Sequence, residues 1–94
     1  MIIVLYDNDV SLYLHFFCKN KLTMGEHKLL IKLGERIRTI RISKNMTQNE
    51  LAMECDFEKA SLSRIESGKS NPTIRTLYKI SSALEISMAD IFKD

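Results

Sequence analysis

Glycine, cysteine, histidine and proline are all scarce in this chain of 94 residues, which holds three, two, two and one of them. There is no phosphate-binding glycine loop, no Gly-x-Ser-x-Gly and no His-Glu-x-x-His, so the strings that mark nucleotide binding, serine hydrolysis and zinc peptidases are missing. Cys18 and Cys55 lie far apart, without the paired Cys/His spacing of a zinc site. Cys55 falls on an apolar helical face and reads as a small buried thiol. His15 and His27 have no evident catalytic companions, and His15 reads as a surface strand residue. No enzymatic activity, metal or cofactor is expected. Long apolar runs are absent as well: the Ile2 to Leu5 run is too short for a membrane span, has no basic residue before it and gives way to Asp7-Asn8-Asp9. Neither sign of charge dominates, with 14 Lys and Arg against 12 Asp and Glu for a net charge of +2. Attraction to a polyanion must therefore come from where charges are placed. A cytoplasmic, reducing setting fits these absences, with no membrane partner.

What is present suffices for one domain around one core. Residues 1–26 differ from the rest: Ile2 to Tyr6, a turn-forming Asp7-Asn8-Asp9 and the alternating Ser11 to Phe16 read literally as a β-hairpin, a disordered stretch being the other reading. This extension is either a pairing arm or an upstream stretch with no separate function. After Leu29 strand patterns cease. Residues 27–94 are expected to form an all-α domain of five helices.

The first helix is predicted from about His27 to Lys44, with Leu30, Leu33, Ile37 and Ile40 on one face and Asn45 as its stop. Thr47-Gln48-Asn49-Glu50 is a capping box, a hydroxyl at a helix start with a carboxylate three residues on, so a second helix begins at Gln48. Leu51, Ala52 and Cys55 continue it until Asp56-Phe57-Glu58 interrupts. Helical spacing resumes from Lys59 to Ser67, and Gly68 ends it through a left-handed cap. A fourth helix follows Thr73 as N-cap, with Ile74, Leu77, Ile80 and Leu84 inward. Ser87-Met88-Ala89-Asp90 repeats the capping logic for a short fifth helix ending near Phe92. The expected core comprises Leu51, Phe57, Leu62, Ile65, Leu77 and Ile80.

Projected at 3.6 residues per turn, the third helix places Leu62 and Ile65 inward and Lys59, Ala60, Ser63, Arg64 and Ser67 outward. Two short helices joined by a tight turn, the second with a small, basic outer face, describe a surface shaped to read a groove. Arg41, near the apolar face of the first helix, and Glu66, at the border of the inner face of the third, are within reach of a bidentate ion pair. Two independent solvated charges are the other reading.

The strings Thr47 to Ala52, Leu62 to Lys69, Asn71-Pro72-Thr73 and Thr76 to Ile80, continued by Ala83-Leu84-Glu85-Ile86 up to Ile91, resemble the Cro/cI-type helix-turn-helix, or xenobiotic-response-element, family. The likeness covers roughly Leu30 to Phe92. It implies a five-helix, lambda-repressor-like bundle in which the residues at positions 41 and 66 pair. It also implies a sequence-specific, double-stranded DNA-binding transcriptional regulator, a repressor, acting as a homodimer. Lys59, Ala60, Ser63 and Arg64 would then face base edges, with Arg64 and Lys59 donating to guanine. Gln48, Ser61, Lys69, Asn71 and Thr73 would meet phosphates. Met88, Ile91 and Phe92, or the N-terminal segment, would form the dimer contact.

Two departures stand out. The family usually has glycine in the turn, where this chain has Asp56, and Ser or Thr at the start of the recognition helix, where it has Glu58. Aspartate tolerates a left-handed backbone and an acid suits a helix N-terminus, but both repel phosphates. The alternative functions are the antitoxin of a toxin-antitoxin pair or another module with a protein partner, and a restriction-modification controller.

Overall fold

The computed structural model describes residues 24–93. The hairpin reading, Cys18 and His15 lie outside them. Among the described residues the structure is all-helical, with five helices: α1 (Met24–Ser43), α2 (Gln48–Glu54), α3 (Lys59–Glu66), α4 (Ile74–Leu84) and α5 (Met88–Ile91).

The long helix α1 begins three residues before the expected His27 and ends at Ser43. It presents Leu30, Leu33, Gly34, Ile37, Ile40 and Arg41 inward at helical spacing. Around it α2, α3, α4 and α5 bury Leu51, Ala52, Cys55, Leu62, Ile65, Leu77, Ile80, Leu84 and Ile91 in one core. Two expected core positions differ. Phe57 is only half-buried, packed against the core with the Lys79 ammonium 5.7 Å from its ring centre. Ile74 is 69% exposed. It sits in the first turn of α4 and off the centre of the stripe formed by Leu77, Ile80 and Leu84, and Ser81 takes the inward place instead. The buried Ser81 hydroxyl is satisfied by donating to the Tyr78 carbonyl at 2.9 Å.

Local chemistry sets the helix starts. Thr47 Oγ1 accepts from the Glu50 N–H at 3.0 Å while Glu50 Oε1 accepts from the Thr47 N–H at 2.8 Å, the reciprocal capping box. Ser87 and Asp90 repeat it at α5. A hydrogen bond from Lys93, then the bonds from Ser87, hold the Asp90 carboxyl down at about 2. Thr73 caps α4.

Four helices end in the same way. Asn45, Asp56, Gly68 and Glu85 adopt φ of 59°, 62°, 77° and 60°. After each, the next N–H reaches back five residues: Met46 to Arg41, Phe57 to Ala52, Lys69 to Arg64 and Ile86 to Ser81, at 2.8 to 3.1 Å. These are Schellman caps, which satisfy carbonyls left open by the last turn. The third helix therefore ends at Glu66, one residue before the expected Ser67.

α1 crosses the end of α3 at close range. A Cβ on Gly34 would lie 2.5 Å from the Ile65 carbonyl oxygen, and one on Gly68 2.8 Å from the Ile31 side chain. Backbone meets backbone there, so neither position has room for a methyl group. Two residues after Gly34, Arg36 Nε donates to the Asp90 carbonyl at 2.9 Å and fastens α1 to α5.

Two substitutions test this account by urea denaturation. Gly34→Ala is expected to lower stability by roughly 2 kcal/mol through overpacking, although alanine is the better helix former. A neutral or stabilising result would contradict the backbone contact. Glu85→Gly is expected to raise stability by about 1 kcal/mol, because the exposed glutamate holds a left-handed conformation that glycine enters freely.

Candidate DNA interface

The outer face of α3 carries Lys59, Ala60, Ser63 and Arg64, all exposed, while Leu62 and Ile65 on the opposite side are buried at 0% and 5% exposure. Among the described residues no ion pair engages either basic side chain. Ser61 is half-buried, and its Oγ lies 3.5 Å from Arg64 Nη2, at the outer limit of a hydrogen bond.

A groove of about 280 Å3 separates α3 from the start of α4, and its walls include Ser61, Arg64, Asn71 and Thr73. The fold thus brings Arg64, expected to face bases, and Ser61, Asn71 and Thr73, expected to meet phosphates, together across one depression. Ser70 and Thr76 line it too, and sequence reasoning missed both. Thr76 was detectable in principle, since it stands three residues after the Thr73 cap. Lys69 and Asn71 are exposed in the connection between the helices. The Thr73 hydroxyl is committed: it accepts from the Thr76 N–H at 3.2 Å and lies 3.1 Å from the Thr76 hydroxyl.

Beneath this surface lies a buried ionic clamp. Arg41 Nε donates to Glu66 Oε2 at 2.7 Å and Nη2 to Oε1 at 3.1 Å, with side-chain exposures of 9% and 3%. The remaining arm, Nη1, donates to the Met46 carbonyl at 2.7 Å. Gln48 Nε2 also donates to Glu66 Oε1, at 2.9 Å. The carboxylate at the end of α3 therefore holds the end of α1 and the first residue of α2, and Arg41 in turn holds the connection before α2. The Gln48 bond had no sequence signal, because nothing in the spacing of 48 and 66 points to a contact. It leaves Gln48 half-buried with one amide N–H already used.

The acidic departures are both exposed. Asp56 makes the left-handed turn between α2 and α3, and Glu58 is the N-cap of α3 but forms no side-chain capping bond. Burial pushes the Cys55 thiol up to about 11, against a smaller opposing pull from Lys79, so it stays a protonated, inert core group. Among the described residues no group of His, Cys, Asp and Glu could hold a metal ion, and no helix is long and apolar enough to cross a membrane.

A five-helix bundle whose third helix shows a small, basic outer face beside a helix N-terminus is that of a DNA-binding transcriptional regulator. Residues 37–91 match the family model described as Helix-turn-helix, and the chain belongs to that family. It is 38% identical over 66 residues to the control protein C.BamHI of Bacillus amyloliquefaciens, covering 69% of this chain and 82% of that protein. Among solved structures it is similar to the restriction-modification controller C.AhdI of Aeromonas hydrophila. The TM-score is 0.66 at 28% identity, over 67% of this chain and 96% of that one. The controller C.Esp1396I gives a TM-score of 0.63 at 38% identity, over 68% and 83%.

The clamp has a measurable consequence. Arg41→Met leaves the Glu66 carboxylate buried without its cation, so thermal and urea unfolding should report a loss of about 3–5 kcal/mol. An unchanged melting temperature would contradict the assigned role.

Proposed function

We propose that the protein acts as a homodimer on a DNA site of two-fold symmetry, each protomer laying α3 in the major groove. Lys59, Ala60, Ser63 and Arg64 then face base edges, while Gln48, Ser61, Lys69, Asn71 and the N-terminal amides of α4 around Thr73 meet phosphates. The observation that carries this reading is the exposure of those four side chains on a helix whose opposite face is locked into the core. The major groove admits a helix, and the first turns of a recognition helix reach base edges. Arg64 presents two parallel donors that match guanine O6 and N7, and Ala60 offers a methyl to thymine. The likeness to control proteins favours a regulator of restriction-modification genes over an antitoxin, with repression following from occupancy of a promoter.

The dimer contact needs a correction. Ile91, expected at that contact, is 1% exposed within its own core, and Met88 is half-buried against it. Phe92 is 50% exposed and shares a shallow groove with Leu29, 55% exposed, at the junction of α1 and α5. This paired apolar surface is assigned to the second copy of the chain. Two half-sites about one helical turn apart then multiply the specificity of one small module.

Selection from random duplexes at controlled salt is expected to return a palindromic, guanine-containing motif. Arg64→Ala should weaken binding by roughly 1–3 kcal/mol and relax one base position per half-site, and an unaltered motif would remove Arg64 from the readers. Phe92→Glu is expected to shift the protein to a monomer in sedimentation and to abolish cooperative occupancy of both half-sites. A dimer that survives this change places the interface elsewhere.

A further inference from the structure

Among the described residues the carboxylate of Glu58 makes no hydrogen bond or ion pair. It stands at the N-cap of α3, where a short polar side chain would close a bond to a free N–H, yet it makes none. It is exposed and joins no ion pair among the described residues, and the residue that follows it is Lys59, the first on the outward face. Relative to Ser, Thr or Asp the position gives up a capping bond, and beside DNA it adds repulsion toward phosphates. An uncommitted acceptor at the leading end of a recognition helix does have a partner in the major groove.

We infer that Glu58 is a specificity-determining residue that accepts a hydrogen bond from the N4 amino group of cytosine. This rests on the reading of α3 as the base-reading helix. A carboxylate can only accept. Guanine O6 and N7 and thymine O4 in the major groove are acceptors too and are rejected. Cytosine presents a lone donor, and adenine presents a donor flanked by the N7 acceptor, which places it second. The ammonium of Lys59 suits the opposite requirement, donating to guanine O6 or N7. A C·G pair, or adjacent C and G, would satisfy both residues, so the acid and the base form a donor-acceptor reader at one end of α3.

The test is random-duplex selection on the full chain, repeated with Glu58→Ala and Glu58→Gln, with melting temperatures recorded alongside. Since Glu58 is exposed and makes no cap, all three proteins should fold alike. The wild type is expected to prefer cytosine at one position of each half-site by roughly tenfold. Glu58→Ala should lose that preference while binding all sequences more tightly. Glu58→Gln, which can match adenine N6 and N7 together, should move the preference to adenine at the same position. A wild-type motif that both variants reproduce, with affinity rising uniformly, would make Glu58 a plain electrostatic brake and overturn the inference alone. A wild type that selects no motif would overturn it together with the base-reading assignment of α3.

Discussion

The carboxylate of Glu66 is the point through which α1, α2 and α3 are tied together. It receives both Arg41 Nε and Nη2 from α1 and the amide of Gln48 from α2, while itself closing α3. Burying an ion pair is costly unless its remaining donors and acceptors are filled, and here the third arm of Arg41 finds the Met46 carbonyl. The pair therefore does more than cancel charge. A planar guanidinium bound at three acceptors fixes distance and angle together, and apolar side chains of similar volume would not. The placing of α2 against α3 is referred to this buried carboxylate, which Gln48 of α2 and Arg41 of α1 both bond.

The second recurring constraint is how the chain leaves its helices. Four left-handed caps turn it sharply enough to pack short helices across one another, and only one of the four residues is glycine. Asn45 and Asp56 are side chains that tolerate the conformation, whereas Glu85 has no such excuse and is strained. At the turn between α2 and α3 this has a functional side. Asp56 accepts the backbone conformation but brings an exposed negative charge to the connection between α2 and α3, as Glu58 does two residues on. With a net charge of only +2, such local charges weigh heavily on affinity and selectivity.

Much of this could be read along the chain because it is local. Thr47 with Glu50, Ser87 with Asp90 and Gly68 are signals confined to four or five residues, and their geometry depends on the backbone alone. The inward stripe of α1 was equally legible, since helical spacing converts directly into a face. Ile74 and Ile91 mark where that logic stops. Both are apolar and both belong to helical segments, yet one is 69% exposed and the other 1%. Periodicity says which residues share a side of a helix but not how far along the helix its neighbours extend.

The candidate interface divides in the same way. The composition of the outer face of α3 follows from residue spacing, and so the sequence by itself determined the helix-turn-helix, its caps and the small basic surface it displays. Only the tertiary structure decided that Gln48 is held by Glu66, that Ser61 and Arg64 share a groove with Asn71 and Thr73, and that Phe92 joins Leu29 at the surface. The physical reason is the range of the interactions. Caps and helical faces arise between residues a few positions apart, whereas a bond between residues 48 and 66 exists only once two helices have been docked by a core that neither contains alone.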